Sequence, residues 1–163
     1  MDAHPIVPRL WQGSMPMAGP QIAGHGFDVL VLCAEEYQPP AEWFPGVRVI
    51  YAPNRDDYER APTSRELAAA KDASKLVAMH VMSGDKVLVT CMAGRNRSGL
   101  VTALALKRLY GMSGKQAILL VRERRKHVTG EALSNPHFIR WLTASDTVQL
   151  ASGRISRPQI LRG

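Results

Sequence analysis

The stretch Lys86-Val87-Leu88-Val89-Thr90-Cys91-Met92-Ala93-Gly94-Arg95-Asn96-Arg97-Ser98-Gly99 decides how this chain is read. Val87 to Val89 is a short unbroken apolar run, the pattern of a strand buried on both faces. Leu100, Val101, Ala103, Leu104, Ala105 and Leu106 continue as a buried helix. Between the two lies a tight loop that begins with a cysteine, carries Gly94 and closes on Arg97, where the helix should start. Such a turn points backbone N–H groups and the positive end of a helix dipole at one spot, which makes an anion site. Cys91 lies in that field, so its thiol is expected to exist largely as the nucleophilic thiolate. Arg97 adds a planar fork of donors suited to two oxygens of a phosphate.

Working outward, Thr63 to Ser83 is predicted to be a helix. Thr63 and Glu66 form a capping box, Leu67, Ala70, Ser74, Val77 and Val81 fall at helical spacing, and Gly84 ends it. It carries the chain back for a parallel strand over Lys86–Thr90. Phe27 to Cys33 and Val47 to Ala52 are two more strands, Pro8 to Ser14 an edge strand, and Ala18 to Gly24 a short helix. After the loop, a helix runs to Tyr110 and stops at Gly111. Ser113 with Gln116 caps the next, which extends to about Lys126 and turns its basic side to water. Asn135-Pro136 starts a last helix with Phe138, Trp141, Leu142 and Val148 as core. The class expected is α/β, with a mostly parallel central sheet flanked by helices and the loop at the carboxyl end of one strand.

A chain of 163 residues, 45% of them hydrophobic, fits one domain with an adequate core. The domain is expected over 1–150, with 151–163 a mobile basic tail carrying Arg154, Arg157 and Arg162. Two cysteines, Cys33 and Cys91, are too few for a disulfide framework, and no segment reads as a signal peptide or membrane span. A cytoplasmic protein is the expectation. The net charge of +7 includes a cluster at Arg122, Arg124, Arg125 and Lys126, expected as a solvated helix face. Its functional counterpart is attraction to a phosphoprotein, nucleic acid or anionic lipid. His80 is expected half exposed within its helix. No His, Cys or Asp spacing makes a metal site, so neither metal nor cofactor is expected.

Cys91, five residues, Arg97, with Gly94 inside and Ser98 after, resembles the signature loop of the cysteine-based protein tyrosine phosphatases, in particular the small dual-specificity branch. The resemblance extends from about Pro8 to Leu150: Leu10-Trp11-Gln12-Gly13-Ser14 is similar to that family's opening strand, and Ser134-Asn135-Pro136-His137-Phe138 to its last helix start. It implies hydrolysis of phosphate monoesters on proteins, phosphotyrosine and also phosphoserine or phosphothreonine, through a cysteinyl-phosphate. Met92, Ala93, Gly94, Arg95, Asn96 and Arg97 then bind the phosphoryl group, and Ser98 hydrogen-bonds the sulfur. A leaving oxygen needs a proton that a thiolate cannot supply. In the family it comes from a loop about three dozen residues earlier, which points to Asp56, three past Pro53, with Asp57 as the alternative.

One departure is Thr90, where the family usually has histidine. The threonine hydroxyl is expected to bond the loop, with a thiol pKa higher than usual for the family. Cys33 ends a predicted parallel strand at the same edge as Cys91; some relatives have a second cysteine there that forms a reversible disulfide, the alternative being a plain buried thiol. Gly94-x-Asn96-Arg97 also resembles the loop of RNA 5′-triphosphatases on this fold, and a basic residue at Arg95 occurs in some phosphoinositide phosphatases. An inactive phosphate-binding module is the remaining alternative; it would need Arg97 and the loop but neither Cys91 nor Asp56.

Overall fold

The structure, a computed structural model, describes residues 2–128 and 130–146. The predicted tail at 151–163, and Val148 as a core residue, lie outside the described residues. A five-stranded sheet holds β1 (Ala3–Val7), β2 (Leu10–Gly13), β3 (Val29–Ala34), β4 (Arg48–Asn54) and β5 (Val87–Thr90) in the order β1-β2-β5-β3-β4. The helices are α1 (Gln21–Gly24), α2 (Ser64–Met82), α3 (Arg97–Tyr110), α4 (Gly114–Arg124) and α5 (Pro136–Thr143), with a 3₁₀ turn at Ala41–Trp43.

Strands β2, β5, β3 and β4 are parallel, and β1 pairs antiparallel with β2. The predicted Pro8–Ser14 edge strand is therefore corrected. Leu10–Gly13 is interior, covered by β1 through a turn in which Arg9 takes φ of 67°. Strand β1 was hidden because His4 and Pro5 interrupt any apolar run, and an edge strand tolerates both.

Residues of β3 alternate between two cores. Val29, Val31 and Cys33 face α2 to α5 together with Val87, Val89 and Cys91, whereas Leu30, Leu32 and Leu88 pack on Ile22, Phe27 and Phe44. All of β3 and β5 is buried, as the unbroken apolar runs required. Both capping boxes form, and Gly111 ends α3 at φ 64°. His80 is buried, not half exposed, and its Nδ1 lies 2.6 Å from Asp85 Oδ2. Central β5 delivers Cys91 to the carboxyl edge, where β2 and β3 also end.

Candidate active site

The loop after β5 wraps around one spot. Cys91 is 4% exposed, and its Sγ lies 3.2 Å from the Ser98 hydroxyl. Arg97 is the first residue of α3 and 7% exposed. Met92 and Ala93 are exposed at the mouth, and the Met92 carbonyl accepts the Met15 N–H at 3.1 Å. Gly94 turns the loop at φ 64°. A Cβ there would stand 2.6 Å from the Gly13 carbonyl carbon and 2.5 Å from Arg125 Nη2, so both conformation and space demand glycine.

The Gly94 carbonyl is held from beneath. Gln12 Nε2 donates to it at 3.0 Å and Arg125 Nε at 3.1 Å. Arg125 Nη1 also donates to the Gln12 carbonyl at 3.0 Å, and the guanidinium forms a bidentate pair with Asp2 at 3.1 Å on both oxygens. The solvated basic face predicted for residues 122–126 is thus corrected at Arg122 and Arg125, while Arg124 and Lys126 are exposed as expected. The Arg125 side chain is fully buried, and Arg122 donates to the Ala132 and Leu133 carbonyls. A charge run does not reveal which of its members has buried acceptors waiting 30 or more residues away.

Arg97 is held by a residue that sequence reasoning missed. Its Nη1 donates to Glu36 Oε2, and to the Asn54 carbonyl at 3.4 Å. Burial works against the guanidinium charge, but the Glu36 hydrogen bond and the nearby Cys91, Glu36 and Asp56 charges hold Arg97 above the usual arginine value. The same bond keeps the Glu36 carboxyl below the ordinary carboxylate range. Arg97 Nε is buried with no hydrogen-bond partner among the described residues, an orphaned donor of the kind an anion oxygen satisfies. The only sequence signal for Glu36 was its place two residues past the end of β3.

Asp56 belongs to the same cluster. Asn96 Nδ2 donates to its two oxygens at 3.2 and 2.9 Å, and Asn135 Nδ2 to Oδ1 at 3.0 Å. The Asp57 carboxylate instead accepts the Glu59 and Arg60 amides, which lowers its pKa and makes it a turn residue. Asn96 gives its side chain to Asp56, Tyr58 and residues 134–135. The half-buried Arg95 guanidinium lies over Gly130. Thr90 does not bond the loop; its hydroxyl donates to the Val31 carbonyl of β3 at 2.8 Å, which corrects the expectation.

Cys33 and Cys91 are both free and follow directly on the register pair Leu32–Thr90 of neighbouring parallel strands. They face the same core, and a cleft lined by Met15, Pro16, Cys33, Tyr37, Thr90 and Cys91 opens beside them. Burial first, then the nearby Cys91, pushes the Cys33 thiol well up, opposed by Arg97.

This fold and loop define a cysteine-based phosphatase. The dual specificity phosphatase catalytic domain family matches residues 10–147, and the chain belongs to that family. Among solved structures, a mouse putative dual specificity phosphatase complexed with zinc tungstate is 24% identical, with a TM-score of 0.74 over 93% of this chain and 90% of that one. Human DUSP28 is 26% identical, TM-score 0.71, over 90% and 96%. PTPMT1 in complex with PI(5)P is 21% identical, TM-score 0.71, over 93% and 98%. No curated protein sequence matches the chain. Among the described residues no helix is long and apolar enough to cross a membrane.

Proposed function

We propose that this chain hydrolyses phosphate monoesters through a cysteinyl-phosphate, with phosphorylated proteins as substrates. The observation that carries the reading is one cluster: a buried cysteine 3.2 Å from a serine hydroxyl, an arginine with an orphaned Nε, and an aspartate held against the same loop. Cys91 thiolate attacks phosphorus in line. An S–P bond forms as the P–O bond breaks, and Asp56 gives its proton to the departing oxygen. Arg97 and the loop amides hold the equatorial oxygens as charge redistributes. Asp56, now a carboxylate, takes a proton from the water that attacks phosphorus; the S–P bond breaks, and Ser98 hydrogen-bonds the leaving sulfur.

Hydrolysis of an aryl phosphate from pH 5 to 8, with Cys91→Ser and Asp56→Ala beside the unmodified chain, tests this. Cys91→Ser is expected to lose all measurable activity and Asp56→Ala about 10²-fold or more. Activity surviving in Cys91→Ser ends the thiol mechanism. No activity in the folded, reduced parent favours the binding-module reading.

A second substrate class has one observation in its favour. Met15, Met17 and Met92 are exposed, 42%, 75% and 38%, in the segments that meet at the mouth. Such a rim suits a phosphate carried on an apolar body, and PI(5)P is bound by the similar PTPMT1. Phosphopeptide and phosphoinositide substrates compared side by side decide between the two.

Cys33 is proposed as the redox partner of Cys91. Peroxide converts the Cys91 thiolate to a sulfenic acid, and Cys33 sulfur displaces its hydroxyl, released as water, to form the disulfide. Oxidation of Cys91 also removes the neighbouring negative charge that disfavours Cys33 ionisation. Non-reduced mass spectrometry after mild peroxide is expected to show the Cys33–Cys91 bond; sulfinic or sulfonic Cys91 alone rules it out.

A further inference from the structure

Asn96 is the N-cap of α3, where an asparagine ordinarily lends its side-chain oxygen to the amides of its own first turn. Asn96 makes no such bond. Its Oδ1 accepts from the Ser134 and Asn135 amides at 2.8 and 3.3 Å, and its Nδ2 donates to both Asp56 oxygens and to the Tyr58 hydroxyl oxygen at 2.9 Å. A second amide comes from another direction. Asn135 caps α5 through Oδ1, which accepts from the His137 amide at 2.9 Å, and its Nδ2 donates to Asp56 Oδ1 and to the Asp57 carbonyl at 3.1 Å. Asn96 and Asn135 are 1% and 0% exposed, while Asp56 is half-buried.

We propose that Asn96 and Asn135 are positioning residues that together clamp the Asp56 carboxyl and aim its Oδ2 as the proton-carrying oxygen. The proposal rests on Asp56 being the proton donor. An amide nitrogen can only donate, so each contact requires an accepting oxygen. Oδ1 accepts from both asparagines; Oδ2 accepts from Asn96 alone. A proton on Oδ1 would compete with two amide donors, whereas Oδ2 keeps a free direction. The O–H on Oδ2 therefore passes its proton to the leaving oxygen, and the carboxylate that remains is already solvated by three N–H contacts. It then collects the proton of the attacking water and returns to its starting state.

The clamp also makes the acid ride on the phosphate loop. Asn96 is the immediate neighbour of Arg97, so whatever fixes the bound phosphoryl group also fixes the distance to Asp56. Because Asn96 leaves its own helix uncapped, the amides of the first turn of α3 are not taken by its side chain and remain available to an anion. A hydroxyl at the same position would reach neither Asp56 oxygen with a nitrogen donor.

A purely structural role for these asparagines would lower activity uniformly; a positioning role would not. The measurement is kcat/KM, which reports the step that breaks the P–O bond, for aryl phosphates with leaving groups from p-nitrophenol to phenol. The full chain is compared with Asp56→Ala, Asn135→Ser, Asn96→Ser and the two double variants that combine each serine with Asp56→Ala. Serine at 135 keeps an N-cap oxygen but loses the nitrogen donor. Inhibition by inorganic tungstate reports whether the phosphate loop is intact in each variant.

Asn135→Ser and Asn96→Ser are each expected to reduce kcat/KM for phenyl phosphate on the order of tenfold more than for p-nitrophenyl phosphate, a part of the roughly 10²–10⁴-fold that general acid catalysis supplies in full. Neither should add to the leaving-group dependence once Asp56 is alanine. The positioning inference alone is overturned if Asp56→Ala steepens the dependence while both serine variants, with tungstate inhibition retained, lose activity equally for every leaving group. If Asp56→Ala leaves the dependence unchanged, the proton-donor reading has failed and the clamp falls with it.

Discussion

The Cys91 loop and the Asp56 loop meet at one site, yet they are held in different ways. Residues 91–96, six residues between β5 and α3, are fixed from beneath by Arg125 and Gln12, both buried, acting on the Gly94 carbonyl. Residues 55–62 join β4 to α2 without regular structure and are mostly exposed. What fixes Asp56 comes from Asn96 and Asn135, 40 and 79 positions away in the chain. The proposed anion site is thus preorganised by a tight local turn braced by Gln12 and by Arg125 in its pair with Asp2, whereas Asp56, the proposed acid, is placed by the neutral amides of Asn96 and Asn135. Electrostatic preorganisation favours the first arrangement for binding charge. A group that must gain and lose a proton is better served by neutral donors than by a fixed opposite charge.

The largest break in this contrast is expected from Gly94→Ala. Positive φ and overlap with Gly13 and Arg125 together should cost about 2 kcal/mol or more of stability and remove most activity, by urea midpoint and aryl phosphate assay. Arg125→Met comes next. It leaves Asp2 with the His4 imidazole alone and Gly94 O with Gln12 alone, an expected loss of about 2–3 kcal/mol, with weakened tungstate inhibition as the sign that the loop has relaxed. A variant as active and as stable as the parent would show that the floor of the loop needs no cation.

Smaller effects sharpen the comparison. Glu36 is half exposed, so screening leaves its pair with Arg97 a modest contribution. Its carboxyl is held below the usual value in the folded chain, so the unfolded chain protonates first as pH falls. The stabilisation is complete above about pH 4.3 and disappears as pH drops through the lowered folded value. The urea midpoint of Glu36→Gln should fall below the parent's at pH 7 and converge with it in acid, once the pH is below the lowered folded value. On the acid side, Thr63→Ala removes the N-cap of α2 and releases Glu66, whose Oε1 also accepts the Arg55 amide next to Asp56. About 1 kcal/mol of stability is expected to go, with kcat little changed. A large drop in kcat would mean that the cap, not the asparagine amides, sets the acid loop.

Much of this was legible residue by residue. Cys91, Gly94 and Arg97 announced the loop because an anion site at a strand-loop-helix turn has a local signature. Thr63 with Glu66, Ser113 with Gln116 and Asn135 with Pro136 announced helix starts for the same reason, and all three form as read. The family that matches residues 10–147 agrees with that reading. Arg125 looked like one more charge in a basic run, and Glu36 carried no pattern that singled it out. Thr90 was expected to serve the loop beside it; its hydroxyl found the Val31 carbonyl instead.

The sequence by itself determined most of the elements and their ends, β1 excepted, and the tight turn between β5 and α3, because apolar period, capping side chains and glycine act over a few residues. Tertiary structure alone decided which polar side chains meet. Arg125 reaches Asp2, Glu36 reaches Arg97, and Asn96 and Asn135 reach Asp56 across separations of 123, 61, 40 and 79 residues. A long polar side chain is locally indifferent to its partner. Its choice is made only when the packed core removes water and leaves a specific buried donor or acceptor to be satisfied.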